Sequence, residues 1–267
     1  MEQSTAQEFP FPNGVFFILV SQFCQIYSYF AIKSILELYL KRELEYSDDQ
    51  ATSIFHFFIF CSYLSAILGS VVADNILGNF KTIILLSVLS ICGHVINMIG
   101  SFTILNTSMP NSYINFIGLL FISLGIGGVR ACIYAFNGDQ FILPNQEDQL
   151  HRYASWMYIT INLSILSSSI ITPMAKSVNC FKIGSCYPLA FGLSGVMMLI
   201  GTIIFVIGKS FYKSAENGGG VSKLFHVICC GFTACIESTV NNSQAGSINI
   251  ELYREVNHIL SCSSLLL

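Results

Sequence analysis

Polar side chains recur at helical spacing within the first long apolar run of the sequence, residues 13–40. At about 100° per residue, one helix face of roughly 120° would hold Ile26 together with five polar side chains: Gln22, Gln25, Tyr29, Lys33 and Glu37. Such a stripe cannot face lipid, so it faces either a water-filled cavity or other helices. Lys33 and Glu37 are four residues apart and either neutralise each other or act separately in a cavity.

Two other runs place ionisable groups within the apolar sequence. His56 and Tyr63 would share a helix face, either as hydrogen-bonded packing residues or as a cavity pair in which the histidine handles protons. Arg130 is always ionised, so near the middle of a span it requires a carboxylate partner or an anionic ligand. We interpret His94, which has no ionisable partner at helical spacing, as a structural residue.

A fifth run adds another polar face, with Ser155, Tyr158, Asn162 and Ser169. Polar contacts between helices explain one or two such stripes, whereas a set in four runs favours a pathway for a solute. The residues therefore predict binding and movement of a polar molecule across an apolar region.

The composition places these stripes in a membrane protein. Only 10% of the 267 residues are charged, 53% are hydrophobic, and the mean hydropathy is +0.65. Soluble domains carry roughly 25% charged residues, so a soluble enzyme is excluded. A net charge of −3 gives no basic surface for nucleic acid. Apolar runs of membrane length predict an all-α bundle of six transmembrane helices: residues 13–40, 51–73, 80–101, 113–136, 153–175 and 188–208.

The remaining segments predict the organisation around this bundle. Residues 1–12 are assigned as a cytoplasmic N-terminal segment, and residues 209–267 as a cytoplasmic tail. The short apolar stretch 221–236 of that tail favours a helix lying in the membrane interface. Lysine and arginine are spread almost evenly over the loops, so orientation rests on a weak signal. With both termini inside, the sequon at Asn106 faces outward as a glycosylation candidate.

The cysteine and histidine positions predict neither a metal site nor an enzyme. The ten cysteines contain no C-x-x-C pair and no ligand spacing with histidine. Cys180 and Cys186 flank a short polar loop, where they either form a disulfide in an oxidising compartment or remain thiols. No paired acids, Ser/His pair or cofactor motif is visible, so we expect no catalytic residues and no cofactor.

Several stretches match one family of membrane proteins. Residues 69–83 contain Gly69, Asp74, Gly78 and Lys81, with the glycines expected to allow a tight turn and the charged residues to cap helix ends. Residues 127–141 end in a Gly-Asp-Gln-Phe element that begins at Gly138 and Asp139, and residues 171–174 and 186–192 add shorter matches. From about residue 11 to 208, the chain resembles the N-terminal half of the proton-coupled oligopeptide transporters of the major facilitator superfamily.

The resemblance implies a fold and a set of site residues. The fold is a six-helix bundle built from a 3+3 repeat, and the solute is a di- or tripeptide, with protons as the coupling ion. His56 matches a histidine implicated in proton coupling, and Arg130 stands where the family commonly has lysine. The implied substrate-binding residues, with Lys33 added as a cavity residue, are Tyr29, Lys33, Tyr63, Arg130, Tyr158 and Asn162.

Two departures from the family pattern limit what the resemblance implies. The family's first span carries a Glu-x-x-Glu-Arg motif, which here reads Gln22, Gln25 and Ile26, so the expected proton relay is absent. The family mechanism also needs two six-helix bundles, and this truncated chain supplies one. We therefore expect a multi-pass protein of the plasma membrane that is inactive alone. It would be completed by a full-length transporter or a second copy, or would serve as a non-transporting regulatory or interaction subunit.

Overall fold

The computed structural model describes residues 11–106, 112–142, 145–178 and 186–213. The chain divides into two units, Met1–Glu216 and Asn217–Leu267, and all described residues belong to the first. Within them, six helices are long and apolar enough to cross a membrane. The predicted all-α bundle is therefore confirmed. The expected interfacial helix at residues 221–236 lies outside the described residues.

Each helix extends beyond its predicted apolar run at one end or at both, most of all at the start of α5. Their bounds are α1 Gly14–Arg42, α2 Asp48–Val72, α3 Asn79–Asn106, α4 Ser112–Gly138, α5 Glu147–Lys176 and α6 Tyr187–Ile207. A π-helical turn, Ala73–Leu77, continues α2, and a 3₁₀ turn, Gly208–Phe211, follows α6. The added residues are mostly polar and lie at helix ends. They fall outside a run defined by hydropathy, but they form the hydrogen bonds of the helix.

Short sequence signals set several helix ends. At the start of α2, the hydroxyl of Ser47 accepts from the backbone N–H of Gln50, and the Gln50 side chain accepts from the backbone N–H of Ser47. This capping box satisfies two donors that the first turn would leave unpaired. Between α2 and α3, Gly78 has φ 76°, a left-handed conformation that side chains disfavour. Pro188 lies in the first turn of α6, where its missing N–H costs nothing.

α1 and α4 form the interior of the bundle. In the most apolar 18-residue stretch of each helix, 67% of α1 and 61% of α4 residues are buried, against 28% for α2 and 11% for α5. α1 packs against α5 and α6, while α4 packs against α2 and α3, and α3 also contacts α6. The two central helices therefore bury several of their own polar residues, among them Gln22, Gln25 and Asn137.

A close crossing of α2 and α4 depends on glycine. A Cβ atom on Gly69 would lie 2.7 Å from the Cα of Gly128, and a Cβ on Gly127 would overlap the carbonyl oxygen of Ser62. The hydroxyl of Ser65 donates across the crossing to the carbonyl oxygen of Leu124 at 2.9 Å. Gly69 therefore lies at a helix crossing inside α2, and not at the turn that the sequence predicted for it. The close backbone approach requires its missing side chain.

Candidate functional site

The N-terminal part of the polar stripe of α1 is buried against other helices. The exposed fractions are 1% for Gln22, 5% for Gln25, 7% for Ile26 and 2% for Tyr29. Of the two alternatives that the sequence left open, the structure therefore places these four residues against helices and not in bulk water. Their neighbours on α4 determine what the stripe can do.

The central contact joins Tyr29 of α1 to Arg130 of α4. The Arg130 Cζ lies 4.4 Å from the centroid of the Tyr29 ring. Tyr29 also contacts a second aromatic residue, because the Tyr29 and Phe58 rings stack with centroids 6.1 Å apart. A guanidinium group at this distance is attracted by the negative face of the ring. The ring fixes the position of the cation without neutralising its charge.

A second cation lies beside the same ring. The Lys33 Nζ is 5.5 Å from the Tyr29 centroid and 5.3 Å from the Phe30 centroid. In the described part of the chain, the ion pairs involve Lys41 and His151, so neither Lys33 nor Arg130 has a carboxylate partner there. Two positive charges thus share one aromatic surface, an arrangement that suits an anionic group of a ligand.

The structure separates Lys33 from Glu37, which the sequence allowed to pair. The Glu37 carboxylate accepts instead from the Lys41 Nζ at 2.8 Å, and Lys41 also reaches Asp48 at 3.0 Å. Both lysines are four residues from Glu37, but only Lys41 lies in the last turn of α1, where the helix dipole favours a cation.

The residues that replace the family's acidic motif line a very small cavity. The Gln25 Nε2 donates to the Ser21 hydroxyl at 3.1 Å, whereas neither amide atom of Gln22 has a hydrogen-bond partner among the described residues. The cavity between α1, α4 and α6 has a volume of about 20 Å³, room for about one water molecule. Its lining is mainly apolar: Gln22, Gln25, Ile26, Ile126, Val129, Arg130, Ile133, Tyr134 and Met198.

The other predicted substrate and proton residues lie on exposed faces of α2 and α5. His56 and Asn162 are exposed, as are Tyr63 at 64% and Tyr158 at 69%. The Asn162 Nδ2 donates to the backbone carbonyl oxygen of Tyr158, one turn earlier in the same helix. In the described residues, no hydrogen bond, ion pair or ring contact joins these four side chains to Arg130. Their roles in binding and proton coupling stay predictions.

The residues of the family signature meet at the ends of α2, α3 and α4. Asp74 lies in the π-helical turn, and the Asn79 Nδ2 donates to the Asp139 Oδ2 at 3.3 Å. Partial burial raises the pKa of the Asp139 carboxyl group, and the hydrogen bond from Asn79 opposes this increase. Lys81 is exposed, and a Cβ atom on Gly138 would meet no neighbouring atom within 4 Å. The helix-capping roles expected of Asp74 and Lys81 stay predictions.

His94 has partners that the sequence did not reveal. Its Nε2 lies 2.8 Å from the Ser28 hydroxyl on α1, and its Nδ1 lies 3.2 Å from the Ser194 hydroxyl on α6. The side chain is 1% exposed. The two serines are 66 and 100 residues away in sequence, so helical spacing gives no signal for either contact.

Three other predicted features lie partly beyond the described residues. Cys186 takes part in a disulfide bond, while Cys180 lies outside the described residues, so their pairing stays a prediction. Asn106 is the last residue of α3, and its side chain and the rest of its sequon also lie outside. In the part of the chain that the structure describes, no group of three or more His, Cys, Asp or Glu residues could hold a metal ion.

Comparison with known proteins identifies the fold. The chain superposes on an auto-inhibited POT family peptide transporter with a TM-score of 0.68 and 25% identity, covering 78% of this chain and 39% of that one. The POT family transporter PepTSo gives a TM-score of 0.67 with 23% identity, covering 87% of this chain and 48% of that one. The six-helix bundle is thus the fold of part of these transporters.

Sequence comparison gives relatives of higher identity. Solute carrier family 15 member 2 from Oryctolagus cuniculus is 38% identical over 235 residues, which are 88% of this chain and 32% of the relative. The human protein of the same name is 40% identical over 220 residues, which are 82% of this chain and 30% of the relative. Peptide transporter family 1 from Drosophila melanogaster is 36% identical over 230 residues, which are 86% of this chain and 30% of the relative. The chain spans about a third of the length of these curated relatives.

The family model described as POT family matches residues 80–265, which is more than half of the chain. These transporters are membrane proteins and not enzymes, in agreement with the six apolar helices. The chain therefore belongs to the POT family of transporters.

Proposed function

We propose that this chain forms one half of a pathway that carries a di- or tripeptide across the plasma membrane, with protons as the coupling ion. The observation that carries the proposal is the Arg130 guanidinium over the Tyr29 ring, with Lys33 beside it. This site offers a peptide carboxylate two positive charges that have no acidic partner among the described residues. The names of the relatives, which include peptide transporters, support a peptide as the solute.

The side chains suggest distinct roles. Arg130 would bind the carboxylate through its planar donors, a geometry that lysine does not offer. The Asn162 amide can donate to and accept from a peptide terminus. Because Gln22 and Gln25 cannot carry a proton in their side chains, we assign proton handling to His56, an exposed imidazole on α2.

We propose that the bundle requires a second bundle for transport. The cavity of about 20 Å³ beside Arg130 is far below the several hundred Å³ of a typical ligand pocket. The binding candidates on α2 and α5 lie on open faces, so other helices must cover them to enclose a peptide. Transporters of this architecture bind solute between two bundles that rock around a central site.

Complementation tests this proposal. The chain would be co-expressed with a separately encoded second bundle from the rabbit relative, and uptake of a labelled dipeptide would be measured in a host that lacks peptide transporters. We expect uptake only when both parts are present, and loss of uptake with Arg130→Ala. Arg152→Ala, an exposed arginine at the start of α5, is the control. Co-purification of the two parts, with no uptake under a proton gradient, would contradict the proposal.

A second candidate is a non-transporting regulatory or interaction subunit. The exposed apolar faces of α2 and α5 favour it, because they include large side chains such as Phe57, Phe60, Trp156 and Leu163. A full-length transporter or a second copy of the chain could cover these faces. Co-purification with a full-length relative, and a change in its uptake without any uptake by the chain itself, would select this candidate.

A further inference from the structure

His94 connects three helices at the middle of the bundle. It belongs to α3, and its two ring nitrogens meet hydroxyl groups of α1 and α6 at 2.8 and 3.2 Å. Ser28 and Ser194 are fully buried, like the imidazole between them. No carboxylate is among the hydrogen-bond partners of the ring in the described residues, so the ring is held by neutral groups alone.

The hydrogen bonds determine which nitrogen carries the proton. The Ser194 hydroxyl donates its single hydrogen to the carbonyl oxygen of Phe191 at 2.8 Å. The carbonyl oxygen is the nearer of the two groups around this hydroxyl, at 2.8 Å against 3.2 Å for the His94 Nδ1, so we assign the hydroxyl as acceptor and the Nδ1 as donor in their contact. A buried imidazole without an acidic partner is neutral, which leaves the Nε2 as an acceptor for the Ser28 hydroxyl. The ring is thus fixed in one tautomer, with hydrogen bonds at both nitrogens.

Close backbone packing keeps the ring in this position. A Cβ atom on Gly195 of α6 would lie 2.9 Å from the His94 Cβ. A Cβ atom on Gly201, further along α6, would lie 2.8 Å from the Cys24 Cβ of α1. α6 therefore approaches both α3 and α1 closely, and the imidazole fills the space where the three helices meet.

We propose that His94 is a positioning residue that fixes the rotation of α1 and thereby holds Tyr29 against Arg130. Ser28 directly precedes Tyr29 and lies about 100° from it around the α1 helix, so the two side chains leave the helix on different sides. A bond from His94 to Ser28 therefore attaches one side of α1 while Tyr29 contacts Arg130 on another side. Only the functional meaning of this placement rests on the proposed peptide pathway.

The first test determines the tautomer of the His94 ring. The full chain would be labelled with ¹⁵N-histidine and ¹⁵N-arginine and placed in lipid nanodiscs for NMR. For His94 we expect a directly bonded hydrogen at the Nδ1 alone, and a resonance of the Nε2 that shows an unprotonated nitrogen. A hydrogen at the Nε2 instead would overturn the proposed network.

The second test reads the position of Tyr29 through Arg130. The Tyr29 ring changes the chemical shift of the guanidinium hydrogens of Arg130. The variant Tyr29→Leu gives the chemical shift of these hydrogens in the absence of the ring. We expect Ser28→Ala to remove most of this ring-induced shift. Ser34→Ala, on the same helix, is the matched control, because among the described residues the Ser34 hydroxyl donates only to the carbonyl oxygen of Ala31. An unchanged Arg130 resonance in folded Ser28→Ala protein would overturn the proposal.

Conservative replacements of His94 keep the proposal testable if Ser28→Ala does not fold. His94→Gln places an amide oxygen near the Nε2 position, where it can still accept from Ser28, whereas His94→Asn places an amide nitrogen near the Nδ1 position. We expect the Arg130 resonance to be preserved in His94→Gln and shifted in His94→Asn. The reverse result would overturn the role of α1 rotation. All three measurements are made without peptide. They can therefore contradict the role of His94 while the proposed transport function stands, and the transport function can fail while the role of His94 stands.

Discussion

The guanidinium carbon of Arg130 lies 4.4 Å from the centre of the Tyr29 ring, which links the two central helices of the bundle. Arg130 is only partly buried and has no acidic partner among the described residues, so its charge is available to a ligand. The same ring also lies near Lys33. A fixed pair of cations on an aromatic surface is the feature from which the proposed peptide site is built.

Removal of the Arg130 charge should weaken peptide binding. A hydrogen bond to a charged group contributes about 1.5–3 kcal/mol, so Arg130→Ala should lower affinity about 10- to 100-fold in the assembled transporter. Arg130→Lys keeps the charge but loses the planar pair of donors, and should lower it less. Competition binding with a labelled dipeptide measures both. Equal affinity in Arg130→Ala and the unmodified protein would refute the assignment.

Replacement of the unpaired amide at position 22 should not destabilise the protein. Both amide atoms of Gln22 are buried without partners, and such a group costs about 1–3 kcal/mol. We expect Gln22→Leu to raise the melting temperature in detergent. Gln25→Leu is the matched change, and it should lower the melting temperature because it removes the bond to Ser21. The opposite order of the two variants would show that Gln22 has a partner after all.

The crossing of α2 and α4 should tolerate no side chain at Gly127. A Cβ atom there would overlap the carbonyl oxygen of Ser62, so Gly127→Ala should cost about 1–3 kcal/mol in the free energy of unfolding. Gly138→Ala, in the last turn of the same helix, is the control, because nothing lies within 4 Å of the added atom. Urea unfolding in detergent measures both, and a similar loss in the two variants would contradict the close crossing.

Asp139 should make stability depend on pH in a defined direction. Because partial burial raises the pKa of its carboxyl group, the folded state binds the proton more tightly than the unfolded state does. The stabilisation is complete below the unfolded pKa of about 3.9 and is lost as pH rises through the higher folded pKa. Melting temperatures measured at increasing pH should show this decline in the unmodified protein.

The size of this effect is limited because part of the Asp139 side chain is exposed, so we expect less than about 1 kcal/mol. In Asp139→Asn the decline should be smaller than in the unmodified protein, since the amide does not titrate. Asn79→Ala removes the hydrogen bond that opposes the increase in pKa, so the decline should move to higher pH. A rise in stability over the same range would contradict the direction of the shift.

The existence of the six helices could be predicted from hydropathy, but their ends could not. α5 begins at Glu147, whereas its apolar run suggests Tyr153, because acidic residues in the first turn stabilise a helix start without adding hydropathy. Likewise, spacing alone could not decide between Lys33 and Lys41 as the partner of Glu37. Their positions along the helix and the nearby Asp48 decide it.

Helical periodicity could not predict contacts between residues that are distant in sequence, because it relates only residues of the same helix. The hydrogen-bond partners of His94 lie on two other helices, 66 and 100 residues away in sequence. The sequence also could not show that the polar faces differ in burial. Gln22, Gln25 and Tyr29 of α1 are buried, while Tyr63 and Tyr158 lie on open faces, because burial depends on which helices become central.

The most direct test of the central claim is dipeptide uptake into sealed proteoliposomes under an imposed proton gradient. The chain alone and the chain co-reconstituted with a complementary second bundle would be compared at equal protein content. If the chain supplies one half of a peptide pathway, uptake should match that of empty liposomes for the chain alone and should be proton-driven and saturable for the pair. Saturable, proton-driven uptake by the 267-residue chain alone would contradict the account.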